Sequence, residues 1–555
     1  MTDLLQQARE WLMTDPDPMT RAELSTLVAD VEAGGDSREL ADRFAGTLQF
    51  GTAGLRGALG AGPNRMNRVV VGRAAAGLVA HLQATSVTPG APVVIGYDAR
   101  HNSDIFAHDT AEIVAGAGFR ALLLPRPLPT PVVAFAILHL GCAAGVMVTA
   151  SHNPPADNGY KVYLGDGCQI VSPADAEIAA QIAAVGDLAS VPRGTDIEVL
   201  GEEILDAYLA SVGRVVGDGD QATRADLSVV YTALHGVGDS VIGRALVEAG
   251  FSAPHSVAAQ AAPDPEFPTV AFPNPEEPGA MDLAMAVAED VGADVVVAND
   301  PDADRCAVAV PGPGGWQMLR GDEVGALLAA HLLGEGRAGV YATSIVSSSL
   351  LQAMASRHGQ EYAETLTGFK WIGRIDGLVF GYEEALGYCV DPVHVKDKDG
   401  VSAALLICEI AARAKAQGRT LVDLLDDIAV AHGLYATDQL SVRVDDPLQI
   451  AAAMQRLRLA APGSLGGFAV TSVDDLGDGS ATLPPTTGLR YTLDQGARVV
   501  VRPSGTEPKL KAYLEVRVPV EADQPDPGVA VGAARIAAAG RLDAIRDDLR
   551  AALAL

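Results

Sequence analysis

Two short stretches concentrate residues able to do phosphoryl chemistry. In VTASHNPPADNGYKVY, Val148 to Tyr163, an apolar run breaks off at Ser151, followed by His152, Asn153 and Pro154. A serine at the end of a buried strand lies at a sheet's carboxyl edge, where open α/β sheets bind ligands. Nucleophile, phosphate carrier and turn residue are all open roles for it. Phosphorylation would give it about −1.5 to −2 charge and three acceptor oxygens. Lys161 follows ten residues later. In GADVVVANDPDADR a second buried run releases Asp300, Asp302 and Asp304. Alternate positions of an extended segment point the same way. Three converging carboxylates repel unless a cation joins them, and oxygen-only ligands favour Mg²⁺ or Ca²⁺. The later glutamate and spacing of an EF-hand loop are missing. Arg305 adds a planar fork suited to phosphate.

Further loops carry complementary groups. RPSGTEPKLK follows the strand-like ARVVV and offers Arg502, Ser504, Gly505 and Thr506, with Lys509 and Lys511 beyond. Guanidinium, hydroxyls and backbone N–H groups of this kind cradle a phosphate. GYEEALGY sets Glu383 and Glu384 between glycines, a pair able to bind sugar hydroxyls or serve as acid and base. FGTAGLRG ends a Gly-rich loop near Arg56, and TGFKWIG and VKDKDG bring Thr367 and Lys398. His235, in LHG, reads as loop support.

Something must hold these loops. The recurring rhythm is an apolar strand, a turn and a helix, as in VVIGYDARHNS, LSVVYTALHGVGDSVIGRALVEAG and VYATSIVSSSLLQAMASRHG. Near-continuous Val and Ile runs predict strands covered on both faces, in parallel or mixed sheets. The spacing of the three versions predicts a repeated α/β unit. Residues 212–226 read as a polar, Gly-rich linker, and PGPGG at 311–315 as a hairpin turn or a boundary. After about residue 437 the pattern alternates like antiparallel strands and ends in a helix, an α+β domain. The borders are set at 1–211, 212–315, 316–436 and 437–555.

The chain has 555 residues and a formal charge of −30. So acidic a chain predicts no nucleic acid and no anionic membrane as partner. Five scattered cysteines without a CxxC pair predict a reducing compartment and no structural zinc. The N-terminal stretch reads as an acidic amphipathic helix, not a signal peptide. From Pro127 to Ala156 no charged residue occurs. Pro131, Gly141 and Gly145 divide this stretch into a buried helix and a short strand, not a membrane span.

Taken together, TASHNP with NGYKVY, then DPDADR, GYEEALG and RPSGT, in that order, resemble the α-D-phosphohexomutases, the phosphoglucomutase and phosphomannomutase superfamily. The resemblance runs from about residue 50 to 515. It implies four domains around a central cleft, three similar α/β units with mixed sheets plus a C-terminal α+β domain. It implies that Ser151 is the phosphoserine and that Asp300, Asp302 and Asp304 bind Mg²⁺ with a phosphoserine oxygen. Arg56 and Lys161 would manage proton and charge beside it, and His152 would orient the loop. Asp304, Arg305, Thr367, Glu383, Glu384 and Lys398 would contact substrate. Arg502, Ser504, Gly505 and Thr506 would hold the non-reacting phosphate. The implied activity is a phosphosugar mutase interconverting hexose 1- and 6-phosphates of glucose or mannose through a bisphosphorylated intermediate. A sugar bisphosphate such as glucose 1,6-bisphosphate is its activator, a small phosphosugar its partner and the cytoplasm its place. The sequence is silent on oligomeric state. Ala385 stands where many phosphoglucomutases have serine, and FPNPEEPGA, TGFKWIG and EEALGY are similar to a branch that includes phosphopentomutases. A ribose or deoxyribose 1-/5-phosphate mutase is therefore the alternative. A Mg²⁺-dependent sugar phosphatase is a lesser one, because a hydrolase need not hold a second phosphate.

Overall fold

The apolar runs become strands whose faces are both covered. The computed structural model describes residues 2–52, 54–217, 219–444, 446–504, 509–521 and 527–554. It comprises two compact units: Met1–Met318 with Gly387–Glu409, and Leu319–Leu386 with Ile410–Leu555.

In the first unit, one sheet runs Leu55–Ala58, Asp157–Leu164, Ala144–Val148, Pro92–Tyr97, Arg120–Leu123, Ile197–Val199 across its width. Pro92–Tyr97 lies parallel to Arg120–Leu123 and to Ala144–Val148. Asp157–Leu164 returns antiparallel, with Lys161 opposite Met147 and Gly159 opposite Arg56. The return matters chemically: it carries Lys161 back beside the strand that ends at the serine loop. The helix Thr130–Leu140 is buried along most of its length and stops at Gly141, which takes the left-handed conformation at φ 62. No helix among the described residues is long and apolar enough to cross a membrane.

A second sheet in this unit orders Gly315–Met318, Ala307–Gly312, Val295–Ala298, Val229–Thr232 and His255–Ser256. Val295–Ala298 is parallel to Val229–Thr232 and antiparallel to Ala307–Gly312. PGPGG is the turn of the hairpin between Ala307–Gly312 and Gly315–Met318.

The polar stretch 212–226 is not a free linker. It folds into a turn, Gly213–Val215, and a short helix, Gln221–Ala225. Arg224 is buried there, 2.7 Å from the buried Glu409 carboxylate, and donates to the carbonyls of Val216, Gly217 and Ala249. The polar composition hid an anchor. Arg224→Met would remove the guanidinium that lies 2.7 Å from the buried Glu409 carboxylate. The expected cost is about 3–5 kcal/mol, read as a lower urea midpoint for this unit.

The second unit holds a parallel sheet of Glu361–Thr365, Val340–Ser344 and Leu378–Glu383. Its other sheet is antiparallel, from Leu434–Arg443 through Lys509–Val518, Arg498–Pro503 and Leu489–Leu493 to Phe468–Asp475. The helix Pro527–Leu553 packs Ala534, Leu542, Ile545 and Leu549 into the core on that sheet.

Candidate active site

The serine loop begins where Ala144–Val148 ends. Ser151 is 3 % exposed and adopts the left-handed conformation at φ 53. For a residue other than glycine this costs roughly 1–2 kcal/mol. Its N–H donates to Thr149 Oγ1 at 2.8 Å, one of the contacts that hold it there. The strained backbone aims the hydroxyl: Ser151 Oγ donates to Asp300 Oδ2 at 2.7 Å and lies 3.1 Å from His152 Nδ1.

Asp300, Asp302 and Asp304 leave the strand Val295–Ala298 fully buried, with oxygens of all three within 4.8 Å of one another. Two lysines answer them. Lys161 Nζ is 2.7 Å from Asp302 Oδ2 and 2.8 Å from Asp304 Oδ2. Lys398 Nζ is 3.2 Å from Asp304 Oδ2. Burial would lower the Lys161 ammonium, but Asp302, Asp304 and Asp397 outweigh it and hold it above the ordinary lysine range. Burial would raise Asp304, but Lys161, Lys398 and Arg305 pull it far below the carboxylate range. Asp300 has no such lysine among the described residues. Burial, then Asp302 and Asp304, push it well above that range.

Asp302 Oδ1 and Asp304 Oδ1 are buried and have no hydrogen-bond partner among the described residues. Unmatched buried carboxylate oxygens in an oxygen-only set fit a hard divalent cation.

Arg305 stands at the edge of the cluster. Its Nε is 3.8 Å from Asp300 Oδ2 and 3.9 Å from Asp304 Oδ1, and its backbone N–H donates to Asp300 Oδ1 at 3.1 Å. Arg56 Nη1 donates to Asn153 Oδ1 at 3.3 Å, on the serine loop. Desolvation, then Arg305 and Arg56, hold His152 well below its ordinary value. A neutral imidazole can orient a hydroxyl without adding charge. Gly400 explains the glycine of VKDKDG. A Cβ there would sit 2.2 Å from the Arg305 carbonyl oxygen, so only glycine lets the Lys398 segment pass.

The first unit thus brings together Ser151, His152, Lys161, Asp300, Asp302, Asp304, Arg305, Arg56 and Lys398. The second unit carries the other predicted contacts. Gly368, beside Thr367, has φ 113 and donates its N–H to Glu383 Oε1 at 2.7 Å. Glu384 Oε2 accepts from Ser347 Oγ at 3.1 Å and Ser344 Oγ at 3.3 Å. The TGFKW and EEALG loops are therefore one structure. Arg502, the last residue but one of the strand Arg498–Pro503, is half-buried, with a buried Nε that has no hydrogen-bond partner among the described residues. Ser504 follows, its N–H bonded to Lys509 O at 2.8 Å. Gly505 and Thr506 lie outside the described residues.

Sequence reasoning missed several supporting groups. Thr130 Oγ1 donates to Asp302 Oδ2 at 2.5 Å, and its N–H to the Asp302 carbonyl at 2.9 Å. Asp397 accepts from Tyr163 OH and Gln169 Nε2, both at 2.7 Å. Arg100 lies beneath the serine loop. The serines of SIVSSS, read as part of a repeat, hold Glu384. Their one signal was polarity at strand ends in otherwise apolar runs.

Residues 47–188, 206–314 and 320–430 match the alpha/beta/alpha domains I, II and III of the phosphoglucomutase/phosphomannomutase family, and 441–538 match its C-terminal domain. The chain is 49% identical over 461 residues to a probable phosphomannomutase of Haemophilus influenzae, covering 81% of this chain and 93% of that protein. It is 37% identical over 565 residues to a probable phosphoribomutase of Schizosaccharomyces pombe, covering 93% and 94%. A putative phosphomannomutase from Thermus thermophilus shares the fold with a TM-score of 0.69 at 26% identity, over 90% of this chain and 99% of that one. The repeated α/β units and the antiparallel last domain fall where these matches place them. The chain belongs to the phosphoglucomutase/phosphomannomutase family, the α-D-phosphohexomutases, and is a phosphosugar mutase, an intramolecular phosphotransferase.

Proposed function

We propose that the chain interconverts hexose 1- and 6-phosphates, of glucose or mannose, with Ser151 as phosphoryl carrier. One observation carries the reading: Ser151 Oγ lies 2.7 Å from Asp300 inside a buried cluster of three carboxylates and two lysines. In the first half-reaction a sugar hydroxyl oxygen bonds to the phosphorus on Ser151. The P–Oγ bond breaks, the proton lost by the hydroxyl is balanced by the one the released Ser151 Oγ gains, and a sugar bisphosphate and free Ser151 result. In the second half Ser151 Oγ attacks the other phosphate and the isomeric monophosphate leaves. Lys161, Arg56 and Arg305 balance charge on the moving group, and His152 orients Oγ. Thr367, Glu383, Glu384 and Lys398 hold the sugar; Arg502, Ser504, Gly505 and Thr506 hold the idle phosphate. Asp300, Asp302 and Asp304 would hold Mg²⁺, which when bound neutralises developing phosphoryl charge. A sugar bisphosphate charges Ser151 at the outset. Five buried free cysteines support a cytoplasmic setting.

A pentose 1-/5-phosphate mutase is the second reading, favoured by Ala385 after the paired glutamates and by the likeness to a phosphoribomutase. One hydroxyl contact is worth only about 0.5–1.5 kcal/mol, so Ala385 does not decide the sugar. The test is kcat/KM for glucose, mannose and ribose 1-phosphates, each with its bisphosphate. Highest efficiency on ribose 1-phosphate would overturn the hexose reading. In the same assay EDTA should silence the enzyme and Mg²⁺ restore it. Full rate in EDTA would leave the aspartates without a metal role.

A further inference from the structure

One buried guanidinium supports the whole nucleophile loop. Arg100 is 4 % exposed. Its Nη2 donates to the carbonyls of Ser151 and Asn153, both at 2.6 Å. Its Nη1 donates to the carbonyls of Pro154 at 2.8 Å and Asp157 at 3.2 Å. Four carbonyls between residues 151 and 157 thus converge on one side chain. Arg100 is itself fixed. Its backbone N–H donates to Asp98 Oδ1 at 3.0 Å, and its Nε lies 3.4 Å from Asp98 Oδ2. Ser103 Oγ fixes Asp98 in turn, at 2.7 Å. The ring of Phe267, from the second α/β domain, covers the guanidinium at 4.9 Å. Phe267 is buried and held at φ 46.

We propose that Arg100 is a positioning residue for phosphoryl transfer, keeping the 151–157 loop in the conformation that aims Ser151 Oγ at the carboxylates. The inference rests on Ser151 being the phosphoryl carrier. Ser151 sits at a positive φ, and on release its backbone relaxes toward negative φ. That rotation swings Oγ away from Asp300. The Thr149 hydroxyl holds only the N–H side of the residue; Arg100 holds the carbonyl side. Asn153, which accepts from Arg56, is on the same clamp, so Arg56 loses its station together with Ser151. A planar fork reaches carbonyls at both ends of the loop at once. A lysine, with three donors on one nitrogen, does not.

Arg100→Lys and Arg100→Ala are assayed with the best sugar phosphate of the panel, glucose 1,6-bisphosphate and Mg²⁺, beside wild type and Ser151→Ala. For Arg100→Lys, kcat should fall about 100-fold with KM within about twofold, the split expected when only transition-state geometry is lost. Labelling of Ser151 by glucose 1,6-bisphosphate, followed by intact mass, should slow in parallel. Guanidinium ion should raise kcat of Arg100→Ala, and urea at equal concentration should not. Wild-type kcat in Arg100→Lys overturns the proposal, as does a loss confined to KM. So does a folded Arg100→Ala that ignores guanidinium; if Arg100→Ala does not fold, Arg100→Lys decides. Ser151→Ala separates the two readings. Activity retained there removes the phosphoserine itself, whereas an inactive Ser151→Ala beside an unimpaired Arg100→Lys removes only the clamp.

Discussion

Ser151→Ala will lower turnover by about 10⁴-fold or more, because the proposed covalent route loses its nucleophile. The variant should still bind sugar phosphate, since the residues proposed to hold it, Thr367, Glu383, Glu384 and Arg502, are untouched. Titration calorimetry with the monophosphate reads this directly. Alanine at φ 53 is strained as serine is, so the loop conformation is not the cause of the loss. The change also strips Asp300 Oδ2 of its hydroxyl donor, a cost of about 1–3 kcal/mol in a buried site. A Tm modestly below wild type is therefore expected alongside inactivity. Near-normal turnover in a protein whose intact mass excludes wild-type contamination would end the phosphoserine reading.

Lys161→Met should be nearly as damaging, and for a different reason. Methionine fills the stem of the side chain but removes the ammonium between Asp302 and Asp304. Breaking a buried charge cluster by deleting one partner costs about 3–5 kcal/mol. The apoprotein should therefore melt at a distinctly lower Tm than wild type. Added Mg²⁺ should recover part of that difference by supplying positive charge to the same carboxylates. Activity should stay low even in saturating Mg²⁺, because the charge beside the moving phosphoryl is gone. A variant that melts like wild type without metal would show that Lys161 does not offset the carboxylates.

What could be read from the chain follows from how far a signal travels along it. Asp300, Asp302 and Asp304 are legible because they follow a buried strand directly, but it is not an extended segment that brings them together: residues 301–303 form a turn, with the Ala303 N–H donating to the Asp300 carbonyl at 2.8 Å and Ala303 at φ 53. Ser151 is legible because the apolar run stops abruptly before it. The α/β rhythm and the antiparallel tail follow from hydrophobic period alone, and the structure bears out both. Thr130 is a different case. It sits in an apolar helix and meets Asp302, 172 residues away, so nothing near it in sequence announces a carboxylate. Arg100 was masked by a YDARHNS stretch that reads as an ordinary strand-to-helix turn. The 212–226 segment misled because polarity and glycine usually mean exposure, while Arg224 is buried by a partner 185 residues on. The choice of sugar is made by a few hydrogen bonds, not by the fold.

The first compact unit is discontinuous: it is completed by Gly387–Glu409, after 68 residues that belong to the other unit have intervened. Those late residues bring Lys398 to Asp304, Asp397 to Tyr163, Asp399 to Tyr208 and Glu409 to Arg224. During synthesis, then, the nascent chain carries its serine and all three aspartates long before the groups that complete their surroundings exist. Lys161 can meet the aspartates early, but Tyr163, Tyr208 and Arg224 must wait for partners 234, 191 and 185 residues downstream. Domain-by-domain folding from the N-terminus cannot finish this unit. Its four pairs with Lys398, Asp397, Asp399 and Glu409 can form only once residues 397–409 have been made.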